Sequence, residues 1–367
     1  MVTFAAHHKN TPSVLVHNFN AGPSILPQEV FKEASAAVLN FENTGLSILE
    51  FGHRTPRFTA VMEEARHLVR ELMQLNSDRE VLFLHGGAST QFMQVPMNLL
   101  DAKDTASYTD TGVWAAKAIK EAKLFGKVEI VCSSKEKNYT SIPCDFAVPN
   151  DSRYLHITTN NTIYGTQWQQ IPKTSNSLIA DMSSDILSRE LDFNAFDLIY
   201  AGAQKNMGAA GVNLVVVNKN ILGRVKRAIP TILDYRNHIN EGSMLNTPPV
   251  FAVYVSLLTL RWLKKEGGIA AIEKRNNEKA AILYKEIDEN ELFTGTVKVE
   301  DRSKMNVCFV MNDPTLENNF LQFAESLSIV GIKGHRSVGG FRASLYNALP
   351  LSSVEVLVKA MRDFSKS

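Results

Sequence analysis

Asp197-Leu-Ile-Tyr-Ala-Gly-Ala-Gln-Lys205-Asn206 sets an apolar run, closed by small residues, directly before a lysine. Upstream, Ser177-Leu-Ile-Ala-Asp181-Met-Ser183-Ser184 ends a second apolar run on an aspartate. Short apolar runs bounded by glycine or polar residues read as buried strands. Further runs at 80–84, 104–109, 128–132, 154–158 and 212–217 read the same way. Before and between the earlier ones lie stretches of helical spacing, at 28–40, 57–75, 91–100 and 114–125. Such alternation predicts an α/β fold, a mainly parallel sheet with helices on both faces. A long helical region, 250–289, then leads to a smaller α+β unit. Its strands are expected at 297–300 and 307–311, and its helices at 316–327 and 352–364.

In an open parallel sheet the ligand crevice lies beyond the carboxyl ends of the strands. One loop and one return strand separate Asp181 from Lys205, enough to bring both to that edge. Alone, the lysine also suits a solvated strand edge, and the aspartate a turn or helix cap. Together they match what pyridoxal phosphate needs. The amine condenses with the aldehyde, and the carboxylate keeps the pyridine nitrogen protonated so that the ring accepts electrons. Burial lowers a lysine's pKa and frees its amine for that chemistry.

Other residues add to the pattern. His85-Gly-Gly87-Ala88-Ser89-Thr90-Gln91 is a glycine turn between a strand and a helix, where free backbone amides and the helix dipole favour an anion. It lacks both the GK[ST] ending and the GxGxxG spacing of nucleotide-binding turns. Trp114 follows a strand and a glycine and offers an indole for stacking. Thr162 places a hydroxyl in the loop after another strand. His53-Arg54, Gly334-His335-Arg336 and Arg342 lie beside glycine turns, where arginines suit bidentate binding of carboxylate or phosphate.

The chain has 367 residues, 44% hydrophobic and 21% charged, which suits a soluble globular protein of about two domains. A formal charge of +1 provides no global basic field for nucleic acid. The three cysteines, Cys132, Cys144 and Cys308, are too scattered for a disulfide framework or a metal site, and each is read as a buried thiol. No metal is expected. The first 16 residues lack the apolar core of a signal peptide, and no stretch approaches a membrane span. A reducing cytoplasm is the expected location.

The ordered strings Asn20-Ala-Gly-Pro23, Phe51-Gly-His-Arg54, His85-Gly-Gly87, Ala180-Asp-Met-Ser-Ser184 and Tyr200-Ala-Gly-Ala-Gln-Lys-Asn206 resemble the phosphoserine aminotransferase family of class-V pyridoxal-phosphate-dependent aminotransferases. Asn246-Thr-Pro-Pro249, Gly334-His-Arg336 and Arg342-Ala-Ser-Leu-Tyr-Asn347 extend the match to about residue 364. The resemblance implies the aspartate-aminotransferase-like (type I) fold with a seven-stranded sheet. It divides the chain into an extension (1–17), a segment packing on the small domain (18–28), a large domain (29–268) and a small domain (269–367). It also implies a homodimer with shared active sites. Lys205 and Asp181 take the catalytic roles, and Trp114 stacks on the ring. Ala88, Ser89, Thr162, Ser183 and Gln204 surround the cofactor phosphate, joined from the other subunit by Asn246 and Thr247. Arg342, His53 and Arg54 bind substrate, joined by His335 and Arg336 from the partner chain. Some members carry Gly-Arg where this chain has Ala88-Ser89. The implied reaction exchanges an amino group between L-glutamate and 3-phosphooxypyruvate, giving O-phospho-L-serine and 2-oxoglutarate in serine biosynthesis. Some relatives also serve the phosphohydroxythreonine step of pyridoxine synthesis. The rival readings are another aminotransferase of the same fold, with substrates that lack a phosphate, and a non-catalytic binding protein.

Overall fold

A computed structural model describes residues 15–366. In chain order the elements are β1 (His17–Asn18), α1 (Gln28–Asn40), α2 (Pro56–Leu72), β2 (Arg79–His85), α3 (Ala88–Leu99), β3 (Thr105–Asp110) and α4 (Val113–Ala122). There follow β4 (Lys127–Ser133), β5 (Tyr154–Thr158), β6 (Ser177–Asp181), β7 (Leu198–Gly202), β8 (Val212–Asn218), α5 (Tyr235–Asn240) and α6 (Val250–Lys265). The chain closes with α7 (Gly268–Glu289), β9 (Phe293–Gly295), β10 (Asn306–Met311), α8 (Glu317–Ser326), β11 (Ile329–Val330), β12 (Phe341–Ser344) and α9 (Leu351–Phe364).

Strands β2 to β8 form one seven-stranded sheet in the order β2-β8-β7-β6-β5-β3-β4. Strands β4, β3, β5, β6 and β7 run parallel, and β8 runs antiparallel to both of its neighbours. The central strands β5, β6 and β7 are buried almost throughout, which is why they read as continuous apolar runs. Successive side chains go to opposite faces. Leu155, Ile157, Ala180 and Ile199 join α1, α2 and α6 in one core, while Tyr154, Ile179, Leu198 and Tyr200 join α3 and α4 in another. The edge strand β4 is largely exposed, with Ile130 at 45%.

A third core gathers around the antiparallel sheet β12-β10-β9, packed by α7, α8 and α9. Phe19 is fully buried in it, and His17–Asn18 pair in parallel with Ile329–Val330. The expected extension therefore has its last residue in a strand, and its residues 1–14 lie outside the described residues.

Two expected elements differ. The single helix over 250–289 is two helices, broken at Gly267, whose φ of +97° is a left-handed backbone that glycine adopts without strain. Helix α7 then spans two cores, with Ile269 and Ile272 in the first and Ala280, Leu283 and Ile287 in the third. The strand expected at 297–300 is a turn, and the strand lies instead at Phe293–Gly295. Tertiary bonds take the backbone there. Lys298 N–H donates to Thr140 O at 3.1 Å, and Asp301 O accepts from Gln167 N–H at 2.9 Å. Of the three cysteines only Cys308 is buried; Cys132 is half-buried and Cys144 exposed, because it lies on the surface loop after Tyr139.

Candidate active site

Asp181 is the last residue of β6 and is 4% exposed. Its register partners are Thr158 on β5 and Tyr200 on β7, so the carboxylate stands at the carboxyl edge of the parallel sheet. The Ser183 N–H donates to Asp181 Oδ1 at 2.9 Å. Burial pushes the Asp181 carboxyl above the ordinary carboxylate range, and Ser183 and Lys205 pull against that rise.

Lys205 leaves the turn after β7, which is closed by Ala203 N–H on Val212 O at 3.0 Å. The Ser183 hydroxyl accepts from Gly202 N–H at 3.2 Å, tying this turn to the one after Asp181. Ser24 secures the other flank, its N–H donating to Gln204 O at 2.9 Å and its hydroxyl to Lys205 O. Burial pushes the Lys205 amine below its usual value; Asp181 opposes that shift and Arg342 adds to it. The amine makes no hydrogen bond or ion pair with a described residue and lies 5.9 Å from the centre of the Trp114 ring. An uncommitted, easily deprotonated amine is what condensation with an aldehyde requires.

Helix α3 begins directly after the glycine turn. Gly86 turns the chain at φ +101°, and a Cβ there would stand 2.3 Å from Thr90 Oγ1, so only glycine fits. Asn213 Nδ2 holds the turn by donating to Gly87 O at 3.0 Å. The first N–H groups of a helix have no intrahelical partner and attract a phosphate.

A cavity of about 300 Å³ joins these groups. Lys205, Asp181, Trp114, Thr162, Ser183 and Gln204 line it, with Ala88 and Ser89 at the α3 end and Arg342 and His335 on the side of β12. A larger cavity, about 670 Å³, lies between α2 and the start of α7 and holds none of the expected site residues. Arg342 Nη1 donates to Thr162 O at 2.8 Å, while its Nε is buried without a partner among the described residues. His335, expected from a partner chain, lines the cavity of its own chain here. The loop before β12 folds back on its own strand, with Gly334 N–H on Gly340 O at 2.8 Å, which keeps His335 beside its own Arg342. Burial and the neighbouring arginines lower the His335 pKa.

His53, Arg54, Arg336, Asn246 and Thr247 do not line this cavity. Arg54, Arg336 and Thr247 are exposed. The Thr247 carbonyl bonds His85 Nε2 at 2.6 Å, next to the glycine turn. Thr158 and Asn160 were missed. Thr158 ends an apolar strand, and its single hydroxyl became visible only through its register with Asp181. That hydroxyl is buried, lines the cavity and has no partner among the described residues.

A carboxylate and an amine at one sheet edge, with an indole and a helix N-terminus lining the same cavity, fit pyridoxal phosphate, and define a type I pyridoxal-phosphate enzyme. A family model, Aminotransferase class-V, matches residues 16–357. The chain is 59% identical to phosphoserine aminotransferase of Flavobacterium johnsoniae over 94% of its own length and 98% of that protein's. Among solved structures it superposes on the phosphoserine aminotransferase of Bacillus circulans subsp. alkalophilus with a TM-score of 0.93, at 43% identity over 96% and 99% of the two chains. For the PLP-bound phosphoserine aminotransferase of Trichomonas vaginalis the TM-score is 0.90, at 36% identity over 95% and 100%. The chain belongs to the phosphoserine aminotransferase family of class-V aminotransferases. Its cofactor is pyridoxal 5′-phosphate.

Proposed function

We propose that this chain transfers an amino group between L-glutamate and 3-phosphooxypyruvate, forming 2-oxoglutarate and O-phospho-L-serine in serine biosynthesis. The observation that carries the reading is one cavity holding the Lys205 amine, the Asp181 carboxylate and the Arg342 guanidinium. When bound, the cofactor supplies an aldehyde that condenses with amines and a cationic ring that accepts electrons.

The residues divide the work. Asp181 holds the proton on the ring nitrogen, and that positive charge offsets the cost of burying the carboxylate. Lys205 carries the α-proton between substrate and cofactor as general base and then acid, a task its lowered pKa favours. Trp114 covers the ring. Ala88, Ser89, Thr162, Ser183 and Gln204 hold the phosphate, with Ser89 offering a hydroxyl where some relatives carry arginine. Arg342 binds the α-carboxylate common to both substrates. His335 receives the variable end, a γ-carboxylate in one half-reaction and a phosphate in the other.

The active unit is a homodimer. Asn246 and Thr247 reach the cofactor phosphate of the second chain, and His53, Arg54 and Arg336 complete the anion site in the assembly. Supporting this, Phe31, Leu39, Leu46 and Leu49 form an exposed apolar set on and after α1, 46–83% accessible, of the kind an interface covers. The large domain takes residues 29–268 and the small one 269–367, with 18–28 packed on the latter. No described helix is long and apolar enough to cross a membrane. The enzyme works in the cytoplasm, and the phosphohydroxythreonine couple of pyridoxine synthesis presents the same charges to the same groups.

The test is glutamate-dependent amination by purified protein, with 3-phosphooxypyruvate, pyruvate and glyoxylate in parallel. Preference for the phosphorylated acceptor is expected. Preference for pyruvate overturns the substrate assignment.

A further inference from the structure

Asn206, which follows Lys205, is 6% exposed and uses both ends of its amide. Its Oδ1 accepts from the Asn347 N–H at 3.0 Å, and its Nδ2 donates to Ile186 O at 3.2 Å. Asn347, 5% exposed, donates from Nδ2 to Leu187 O at 2.9 Å. Its Oδ1 accepts from Asn276 Nδ2 at 2.9 Å, and Asn276 also reaches Ser188 O at 3.0 Å. Neither Asn206 nor Asn347 lines the cavity.

These bonds join three segments that carry site residues. The turn 186–188 follows Asp181, Asn206 follows Lys205, and Asn347 follows Arg342 on the same segment. Leu187 has a φ of +57°, a left-handed backbone that leucine seldom adopts and that the surrounding bonds must hold. The far flank is closed as well, because Tyr346 OH donates to Ala21 O at 2.7 Å within the segment that Ser24 ties to Lys205.

We infer that Asn206 is a positioning residue for the reaction, and that its link to Asn347 sets the Lys205 amine at a constant spacing from the Arg342 guanidinium. The inference rests on the role proposed for Lys205. Proton transfer is sensitive to displacements of about 1 Å, whereas carboxylate binding tolerates them better. Loss of the link therefore lowers kcat and spares KM. It also admits water to a buried amine, which becomes easier to protonate.

The experiment compares wild-type and Asn206→Ala holoenzyme. Steady-state kinetics give kcat and KM, and absorbance against pH gives the midpoint of the resting lysine–cofactor linkage. The expected result is a kcat lower by about 10–100-fold, KM within about twofold for both substrates, and a midpoint moved upward. Wild-type kcat and midpoint in folded Asn206→Ala, or a loss confined to melting temperature, overturn the inference. Should that variant fail to fold, the near-isosteric Asn206→Leu fills the same volume and removes the same bonds to the Asn347 N–H and to Ile186 O. It should show the same changes, and wild-type values there overturn the inference equally. A cofactor linked to another lysine in the wild type instead contradicts the reading of Lys205 itself.

Discussion

The indole N–H of Trp114 donates to the hydroxyl of Thr162 at 3.1 Å. The carbonyl of the same threonine accepts from Arg342, so one residue braces the ring proposed to cover the cofactor through its side chain and the arginine proposed to bind substrate through its backbone. Thr162→Val removes only the first bond. A net hydrogen bond contributes about 1 kcal/mol, so cofactor affinity should fall roughly fivefold. KM for glutamate should stay nearly unchanged. Fluorescence titration of the stripped protein with pyridoxal phosphate measures the first quantity. An equal rise in KM would mean that the hydroxyl serves the substrate.

Lys205→Ala should abolish turnover while leaving the circular dichroism spectrum intact. Asp181→Asn should keep the lysine–cofactor linkage and lower kcat by about 100-fold or more, the scale seen when a preorganised charge is removed. Unchanged kinetics in Asp181→Asn would remove its electron-sink role.

Arg342→Ala should raise KM for both glutamate and 3-phosphooxypyruvate, by about 10–100-fold for a lost charge-assisted bond. A rise confined to the phosphorylated substrate would place Arg342 at the other end of the molecule.

Lys279 is 1% exposed, and its amine donates to the carbonyls of Leu345 and Tyr346 at 2.6 and 2.7 Å. Burial, with Arg275 adding to it, pushes its pKa from 10.5 down to about 7. Between those values the unfolded chain keeps a proton that the folded chain has released, so stability rises with pH, by up to about 1.4 kcal/mol per unit. Below the folded value both states are protonated and this contribution is lost. Urea midpoints at pH 7, 8 and 9 should therefore climb in the wild type relative to Lys279→Met. A difference between the two that does not change with pH contradicts the assignment.

Sequence reading reached furthest where one physical cause dominates. Strands β5, β6 and β7 are buried on both faces, so Leu155, Ile179 and Ile199 stand in unbroken apolar runs. The meeting of Lys205 and Asp181 at one cavity could be read because Asp181 ends such a run and Lys205 closely follows one. The reversed direction of β8 left no trace, since antiparallel and parallel neighbours bury the same residues. Gly267-Gly268 did mark the break between α6 and α7, but helical spacing on both sides masked it. Thr158 was invisible because a lone hydroxyl gains meaning only through register. The place of His335 depends on how one glycine-rich loop folds back, and residue spacing does not encode that.

Every role proposed for the site depends on Lys205 joining the cofactor. Borohydride reduction of the resting enzyme, followed by digestion and mass spectrometry, tests it most directly. A single pyridoxyl-modified peptide carrying the tag on Lys205 is expected. A tag on any other lysine, or none, contradicts it.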